Sequence, residues 1–259
     1  MQQLRLFFIA LQFFTRLPIP RWVGFQPEWL HHASRYFPLV GCVVAAVAAA
    51  VYLLAALVLP APVAAVLSTS ASIYVTGAFH EDGFADTCDG LGGGMTRERV
   101  LEIMKDSRIG AYGAIGMVCM LGAKGTALAM LPPASAIAAL FIAHPVSRLA
   151  ATSLIWRMDY ARAEGKAKPM AQQMTGTEFA IAALTALLPG VLLVASGQLT
   201  AALLCACIAA AALCALWLAR KFQARIQGYT GDCLGAVQQL AEVAVYLVLV
   251  ASLGQGALG

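Results

Sequence analysis

The sequence predicts an all-α, polytopic integral membrane protein, a helix bundle with about seven transmembrane helices. Of its 259 residues, 61% are hydrophobic and only 12% are charged, whereas soluble domains average about 25% charged residues. The mean hydropathy of +0.78 excludes a disordered chain, which needs low hydrophobicity. Asp, Glu, Lys and Arg are absent from residues 36–80, 125–147 and 179–219. The first and last of these stretches are each long enough for two spans of ~20 residues.

Each span is expected to be a helix, because every backbone polar group inside a bilayer must be hydrogen-bonded within the chain. The predicted spans cover residues 38–59, 62–79, 110–131, 134–156, 178–197, 200–219 and 234–253. Pro60, Pro132 and Gln198 mark very short connections, so these spans should pair as hairpins. The spans are rich in Ala and Gly, which lets helices approach closely. We therefore expect a compact bundle, whose small residues also permit a homo-oligomer.

Residues 1–36 form an N-terminal segment whose apolar part is too short to span a membrane. This part runs from Leu4 to Phe14, and Pro18 and Pro20 follow it. Two placements fit: a helix lying in the membrane interface, or a helix folded against the cytoplasmic mouth of the bundle. Either placement leaves residues 1–259 as a single membrane domain.

The basic residues are strongly biased towards one end of the predicted bundle. All 17 Lys and Arg residues except Lys124 and Arg148 fall on one face, including Lys166 and Lys168 in the connection before the fifth span. The positive-inside rule places this face and the N-terminus in the cytoplasm and the C-terminus outside. A net charge of +4 without a basic run predicts no nucleic-acid partner.

An acidic segment, residues 80–109, follows the second span on this cytoplasmic face. More than half of the 13 acidic residues lie between positions 81 and 106, and Asp82, Asp86 and Asp89 have the spacing i, i+4 and i+7. On a helix these three carboxylates share one face, where they repel each other unless a cation neutralises them. Hard oxygen ligands favour Mg²⁺, Mn²⁺ or Ca²⁺ over zinc. The alternative is a solvated acidic helix end.

A second, amphipathic helix is expected after the glycines at 92–94, with Thr96 as its N-cap. It leads into Lys105 and Arg108, which are three residues apart and are predicted to share a face. Beside the carboxylates, these two cations could clamp phosphate groups. The alternative is that they act as topology signals alone.

Four ionisable residues, Lys124, His144, Arg148 and Glu242, fall inside predicted spans and are functional candidates by default. Arg148 and Glu242 both lie about 12 Å from the cytoplasmic end of their helices at 1.5 Å per residue. We predict that they pair, or that Arg148 faces a substrate cavity. Snorkelling explains Lys124, and His144 has no assigned role. Asp232 begins the last span, either in a phosphate-binding helix terminus or as a simple N-terminal acid.

Four motifs carry a resemblance to a known family: residues 14–20, 79–90, 101–110 and 230–236. Together and in this order they resemble cobalamin synthase, also called adenosylcobinamide-GDP ribazoletransferase, and the similarity runs from about residue 7 to 250. The resemblance implies a Mg²⁺-dependent enzyme of the bacterial inner membrane that works in vitamin B12 synthesis. It would join α-ribazole, or its 5′-phosphate, to adenosylcobinamide-GDP. The products would be adenosylcobalamin, or its 5′-phosphate, and GMP.

In such a reaction the ribazole 5′-hydroxyl attacks the phosphorus on the cobinamide arm and GMP leaves. The carboxylates expected to hold Mg²⁺ are Glu81, Asp82, Asp86 and Asp89. The residues expected to be catalytic are Asp82, Asp86, Asp89 and Asp106, and either of the last two could orient or deprotonate the hydroxyl. The residues expected to contact substrate are Lys105, Arg108, Arg148 and Asp232.

Two other classes of protein share some of these features. A CDP-alcohol phosphotransferase also carries aspartates at helical spacing, but its motif continues from Asp-Gly into Ala-Arg. Here Asp89-Gly90 continues into Leu91 and three glycines, so the match breaks. A transporter would explain the charges inside the spans, but the carboxylates cluster at one membrane face and transporter sites usually lie at the midplane.

Overall fold

The computed structural model describes residues 1–24, 26–162 and 174–253, and the regular structure of these ranges is helical. The helices are α1 Gln2–Phe14, α2 Pro27–Ala33, α3 Phe37–Ala56, α4 Ala61–Thr76, α5 Phe79–Gly93, α6 Arg97–Ile103, α7 Ala111–Met130, α8 Pro133–Arg157, α9 Gly176–Ala195, α10 Ala201–Ile226 and α11 Gly231–Leu253. The connections between α3 and α4, α7 and α8, and α9 and α10 are short. This confirms the predicted all-α class.

The described helices α3, α7, α8, α9, α10 and α11 are each long and apolar enough to cross a membrane. Helix α4 has only 16 residues and passes the same test only together with α5, from which it is bent by 90°. The described residues therefore contain six or seven candidate spans, and the protein is a multi-pass membrane protein. The predicted second span, residues 62–79, is too long at its end, because α4 stops at Thr76.

The bend between α4 and α5 turns the acidic segment away from the axis of the preceding span. Gly77 and Ala78 adopt left-handed backbone conformations with φ of 67° and 59°, and the N–H of Ala78 bonds back to Ile73. A left-handed residue after the last turn is a common way to end a helix. The N-terminal segment braces this corner, since the N–H of Arg16 donates to the carbonyl of Val75 over 2.8 Å. Helix α5 therefore starts a new direction at the end of the bundle.

Helices α8 and α11 form the centre of the bundle. Helix α11 packs against α5, α7, α8 and α10, and α8 packs against α3, α9 and α11. Glycine allows the closest contact: a Cβ at Gly41 on α3 would lie 2.7 Å from the carbonyl oxygen of His144 on α8. The small residues of the spans therefore bring helix backbones together, as their composition predicted.

The N-terminal helix α1 packs against the bundle. Its residues Leu6, Ile9 and Phe14 are buried. The ring of Phe14 lies 4.4 Å from that of Phe37 on α3 and 5.5 Å from that of Phe79 on α5. Helix α1 thus packs beside the first turn of the acidic helix.

The segments predicted to be cytoplasmic meet at one end of the bundle. The guanidinium of Arg97 on α6 donates to the carbonyl of Ile226 at the end of α10 over 3.1 Å and to that of Ala161 after α8 over 2.8 Å. Arg97 thus joins α6 to the ends of α8 and α10 at one end of the bundle. Lys166 and Lys168 lie outside the described residues.

Candidate active site

Helix α5 carries the predicted acidic face across the charged end of the bundle. Along this face Asp82 is exposed, Asp86 is half-buried and Asp89 is buried. The three side chains therefore lead from solvent into the contact between helices. A single helix supplies three carboxylates at increasing depth, and each has different neighbours.

Two glycines bring the first turn of α11 against α5. A Cβ at Gly83 would lie 2.9 Å from the Cα of Asp232, and a Cβ at Gly235 would lie 2.8 Å from the carbonyl oxygen of His80. Any larger residue at either position would push the helices apart. Two motifs that are far apart in the sequence thus meet, and Asp232 joins the carboxylates of α5.

Asp86 lies at the centre of this carboxylate group. Burial, together with the nearby carboxylates of Asp232 and Asp82, raises the pKa of Asp86 to about 7, although Arg162 acts in the opposite direction. Both effects disfavour the ionised form of Asp86. A cation bound between these oxygens would remove the repulsion, so the electrostatics fit a cation site.

Arg162 is a member of the site that sequence reasoning missed. Its Nη2 donates to Oδ2 of Asp232 over 2.8 Å, and both side chains are largely buried. The hydroxyl of Thr230 donates to the same oxygen over 3.2 Å. The sequence carries no signal for this pair, because Arg162 stands among other basic residues in a connection, where a positive charge indicates topology.

Asp89 connects α5 to the N-terminus of α7. Its Oδ2 accepts the N–H of Gly110 over 2.7 Å, and its Oδ1 accepts the N–H of Gly113 over 2.8 Å. A Cβ at either glycine would lie 2.4 Å from one of these oxygens. Each carboxylate oxygen keeps a second lone pair, so Asp89 can still meet a cation or a hydroxyl.

Beside Asp89, an open cleft of about 480 Å³ is also lined by Asp106, Arg108 and Tyr112. Arg108 is exposed and donates to both carboxylate oxygens of Asp106, with a shortest distance of 2.7 Å. These bonds lower the pKa of Asp106 to about 2. The cleft therefore combines an accessible guanidinium with carboxylates at the junction of α5 and α7.

The predicted shared helix face of Lys105 and Arg108 is wrong. Helix α6 ends at Ile103, and both cations lie in the connection to α7. The predicted cap is confirmed, because Thr96 Oγ1 accepts the N–H of Arg99 over 3.3 Å. The connection turns before the helical spacing can place Lys105 and Arg108 side by side.

Inside the spans, the predicted pair of Arg148 and Glu242 is wrong. Glu242 instead contacts Lys124 Nζ at 2.9 Å and His144 Nδ1 at 3.3 Å, and Arg148 donates to the carbonyl of His144 over 3.0 Å. Lys124 is 2% exposed, so it does not snorkel either. The rotation of α7 about its axis, which depth along a helix does not predict, decides which cation faces Glu242.

Glu81 lies apart from the other predicted ligands. Its side chain is buried, and its Oε1 accepts Nε2 of Gln239 over 2.8 Å. It lines a small polar cavity together with Lys124 and Arg148. The structure thus brings Asp82, Asp86 and Asp232 together at the surface and places Glu81 and Arg148 in the bundle interior.

The donor set at the surface fits Mg²⁺ only with help from a substrate. Within the described ranges, no three His, Cys, Asp or Glu side chains lie close enough to hold a metal ion by themselves. Mg²⁺ usually takes one or two carboxylates and completes its shell with water and substrate phosphates. Asp82 and Asp86, with Asp232 beside them, can supply that number of oxygens.

Known proteins match this chain over almost its whole length. Residues 6–250 match the family model described as cobalamin-5-phosphate synthase. The adenosylcobinamide-GDP ribazoletransferase of Leptothrix cholodnii is 51% identical over 94% of each chain. The enzyme of the same name from Ralstonia nicotianae is 48% identical over 95% of each chain. That from Shewanella frigidimarina is 44% identical over 97% of this chain and 96% of the relative. No solved structure matches. With these matches and the four motifs in one arrangement, the chain belongs to the cobalamin-5-phosphate synthase family.

Proposed function

We propose that the protein is an adenosylcobinamide-GDP ribazoletransferase that joins α-ribazole, or its 5′-phosphate, to adenosylcobinamide-GDP. The identity of 51% with a relative of that name over 94% of the chain carries the proposal. The carboxylates and cations gathered at one end of the bundle support it, because a diphosphate substrate needs charge neutralisation. The products would be adenosylcobalamin, or its 5′-phosphate, together with GMP.

The reaction we propose is a displacement at the phosphorus attached to the cobinamide arm. The oxygen of a ribose hydroxyl that is free in both acceptors, and therefore not the expected 5′-hydroxyl, forms the new bond to phosphorus, and the bond to the bridging oxygen breaks. That oxygen leaves with GMP, and the hydroxyl proton is released. Phosphoryl transfer of this kind depends mainly on positioning and electrostatics, so no covalent intermediate is needed.

Asp82 and Asp86 are the residues that we propose to hold Mg²⁺, with Asp232 as their neighbour from α11. When bound there, Mg²⁺ would neutralise charge on the diphosphate oxygens. The raised pKa of Asp86, about 7, supports this assignment because it reflects a partly buried carboxylate with other carboxylates close to it. Glu81 is buried on another side of α5, so we propose a different role for it below.

Asp89 and Asp106 are better suited to orienting the attacking hydroxyl than to taking its proton. Arg108 keeps the pKa of Asp106 at about 2, which makes this carboxylate a weak base at neutral pH. Asp89 already accepts two backbone N–H groups. Both side chains border the same cleft, so a hydroxyl bound there could donate a hydrogen bond to either.

Arg108 and Lys105 are proposed to bind the phosphates in this cleft. The side chain of Arg108 is 87% exposed, and an exposed ion pair such as that with Asp106 contributes little stability. Arg108 can therefore turn from Asp106 to a phosphate at small cost. A planar guanidinium suits this role because it donates two parallel hydrogen bonds to phosphate oxygens.

The site is proposed to face the cytoplasm from the bacterial inner membrane. The described basic residues outside the spans lie at the same end of the bundle as the carboxylates. The positive-inside rule assigns that end to the cytoplasm. The nucleotide part of adenosylcobinamide-GDP would then enter from the cytoplasm.

A purified preparation in detergent tests the activity. It is incubated with Mg²⁺, adenosylcobinamide-GDP and either α-ribazole or its 5′-phosphate, and GMP and the corrinoid product are quantified by chromatography. We expect equal amounts of GMP and the joined product with at least one acceptor. The absence of product with both acceptors would contradict the proposal and favour a transporter, which makes no product without a compartment.

A further inference from the structure

A chain of hydrogen bonds connects the interior of the bundle to the acidic helix. Lys124 Nζ on α7 lies 2.9 Å from Oε1 of Glu242 and donates to Oε1 of Gln239 over 2.8 Å. Nε2 of Gln239 then donates to Oε1 of Glu81 over 2.8 Å. All four residues are at most 5% exposed. This series of hydrogen bonds thus links α7 and α11 to the first turn of α5.

The buried charges in this series of hydrogen bonds indicate that it fixes the relative positions of the side chains. Burying charges is costly, and a buried ionic network often stabilises a protein no more than apolar residues of the same volume would. Here Lys124 and Arg148 balance Glu81 and Glu242. Two further atoms of this cluster, Oε2 of Glu81 and Nε of Arg148, are buried without a partner. A network of this kind fixes which groups face each other.

The direction of the Gln239 amide follows from its two neighbours. The ammonium group of Lys124 has only donors, so the amide oxygen must face it. The amide NH₂ is then directed to the carboxylate of Glu81, which accepts. Lys124 therefore selects the one orientation of Gln239 in which the side chain can hold Glu81.

Close packing of Gly83 against Asp232 holds α5 beside α11 at this end, and the hydrogen bond to Glu81 adds a directional contact that can set the rotation of α5. Helix α5 starts directly after the left-handed residues Gly77 and Ala78, without a side-chain cap. Glu81 and Asp82 are adjacent on the helix, so a rotation that releases Glu81 from the interior also moves Asp82 and Asp86 relative to Asp232.

We propose that Gln239 and Glu81 are positioning residues: their hydrogen bond sets the rotation of α5 and thereby places Asp82 and Asp86 beside Asp232. This inference rests on the proposed function, in which these aspartates hold the metal and the diphosphate. It assigns Glu81 no direct contact with the metal. Lys124 and Glu242 act one step further away, by orienting Gln239.

Variants of the two partners separate positioning from metal ligation. Gln239→Met keeps the length of the side chain and removes the donor to Glu81. Glu81→Gln keeps an acceptor oxygen for Gln239 and removes the carboxylate charge. Binding of Mn²⁺ is measured by electron paramagnetic resonance in the full-length protein without substrate, and the KM for adenosylcobinamide-GDP is measured alongside.

For Gln239→Met we expect Mn²⁺ binding to weaken by about tenfold, the loss typical of a residue that orients metal ligands. The KM should rise, and kcat at saturating metal and substrate should stay close to that of wild type. Glu81→Gln should bind Mn²⁺ as the wild type does. Ser68→Ala is the matched control, because it removes an equally buried hydrogen bond, from Ser68 Oγ to the carbonyl of Ala48 over 2.8 Å. It should change neither quantity.

Unchanged Mn²⁺ affinity and KM in Gln239→Met would overturn the inference. So would a loss in Glu81→Gln as large as that in Gln239→Met, because that result would make Glu81 a ligand. If Gln239→Met does not fold, Gln239→Asn, which keeps the amide and shortens its reach to Glu81, is measured in its place with the same expected loss. Absence of Mn²⁺ binding in the wild type would contradict the metal site of the proposed function, and the KM comparison would then decide the inference alone.

Discussion

Asp86 is the side chain whose surroundings most clearly separate it from the other acids on the charged face. It is half-buried and has carboxylate neighbours on two helices, Asp82 and Asp232, whereas Glu98 on α6 is exposed to solvent. Removing solvent and adding like charges both favour the protonated form. Asp86 is therefore a carboxylate held ready for a cation.

The raised pKa of Asp86 predicts how the stability of the metal-free protein changes with pH. Because the pKa of Asp86 rises from 3.8 to about 7 on folding, the folded state binds the proton more tightly than the unfolded state. The stabilisation from this proton is complete below the unfolded pKa and is lost as pH rises through about 7. In thermal unfolding with a chelator, the melting temperature of wild type should fall relative to Asp86→Asn over this window. Parallel pH profiles of the two proteins would contradict the prediction.

The exposed guanidinium of Arg108 leads to a prediction about the affinity for adenosylcobinamide-GDP. Arg108→Gln removes a guanidinium that is 87% exposed and free to meet a phosphate. A hydrogen bond between a guanidinium and a phosphate is stronger than one between neutral groups, so the KM for adenosylcobinamide-GDP should rise by about tenfold.

Arg99→Gln is the matched control for this substitution. Arg99 is also exposed and pairs with Glu102 over 2.8 Å, but it lies outside the residues that line the cleft. Its substitution should leave the KM unchanged. Equal effects of the two substitutions on the KM would show that Arg108 acts only through overall charge.

At the scale of whole helices, the contact between α5 and α7 sets the geometry of the candidate site. Asp89 accepts the N–H groups of Gly110 and Gly113, so the acidic helix and the first turn of the next span share one carboxylate. The connection that carries Lys105 and Arg108 ends at this joint. Displacing Asp89 should therefore disturb both the carboxylates and the cations of the cleft.

Gly113→Ala tests this joint. The added methyl group would lie 2.4 Å from Oδ2 of Asp89 and 3.0 Å from the carbonyl oxygen of Ala85. We expect a lower melting temperature and a loss of activity. Gly122→Ala on the same helix has no atom within 4 Å and should be neutral or stabilising, since Ala is the better helix former. A melting temperature and activity of Gly113→Ala equal to those of the control would contradict the role of Asp89.

Helix positions were largely predictable, and helix orientations were not. Long apolar stretches must form spanning helices, and the described helices agree with the predicted spans to within a few residues, apart from the C-terminal end of α10. The bend after α4 was missed because it depends on Gly77 and Ala78 in left-handed conformations, which the apolar pattern does not encode.

The side chains of the site likewise include some that could be predicted from the sequence and some that could not. The spacing of Asp82, Asp86 and Asp89 predicted a shared face, because it is a property of one helix. The pairing of Arg162 with Asp232 and of Lys124 with Glu242 depends on how separate helices rotate against each other. One sequence read by itself carries no information on that rotation.

For the protein as a whole, an odd number of crossings places the two chain ends on opposite sides of the membrane. With α4 counted as a span, seven helices cross, and the basic end contains the carboxylates. The N-terminus should lie in the cytoplasm and the end of α11 outside. Six crossings would place both ends on the same side, so topology decides whether α4 is a full span.

Fusions of green fluorescent protein test this topology. A fusion after Leu253, at the end of α11, should not fluoresce, because the reporter does not fold after export in its unfolded form. A fusion after Ile226, at the end of α10, should fluoresce in the cytoplasm. Fluorescence from the fusion after Leu253 and none from the fusion after Ile226 would contradict seven crossings from a cytoplasmic N-terminus, because six crossings exchange the two sides.

The metal dependence of product formation is the decisive measurement. Protein treated with a chelator is supplied with adenosylcobinamide-GDP and an acceptor, and GMP release is followed as Mg²⁺ is added, for wild type, Asp86→Asn and the exposed control Glu98→Gln. We predict no release without Mg²⁺, full recovery in wild type and in the control, and a loss of at least about 100-fold in Asp86→Asn, as for removal of a group that stabilises transition-state charge. Release at the wild-type rate without a divalent metal, or from Asp86→Asn, would contradict a carboxylate-held metal site on α5.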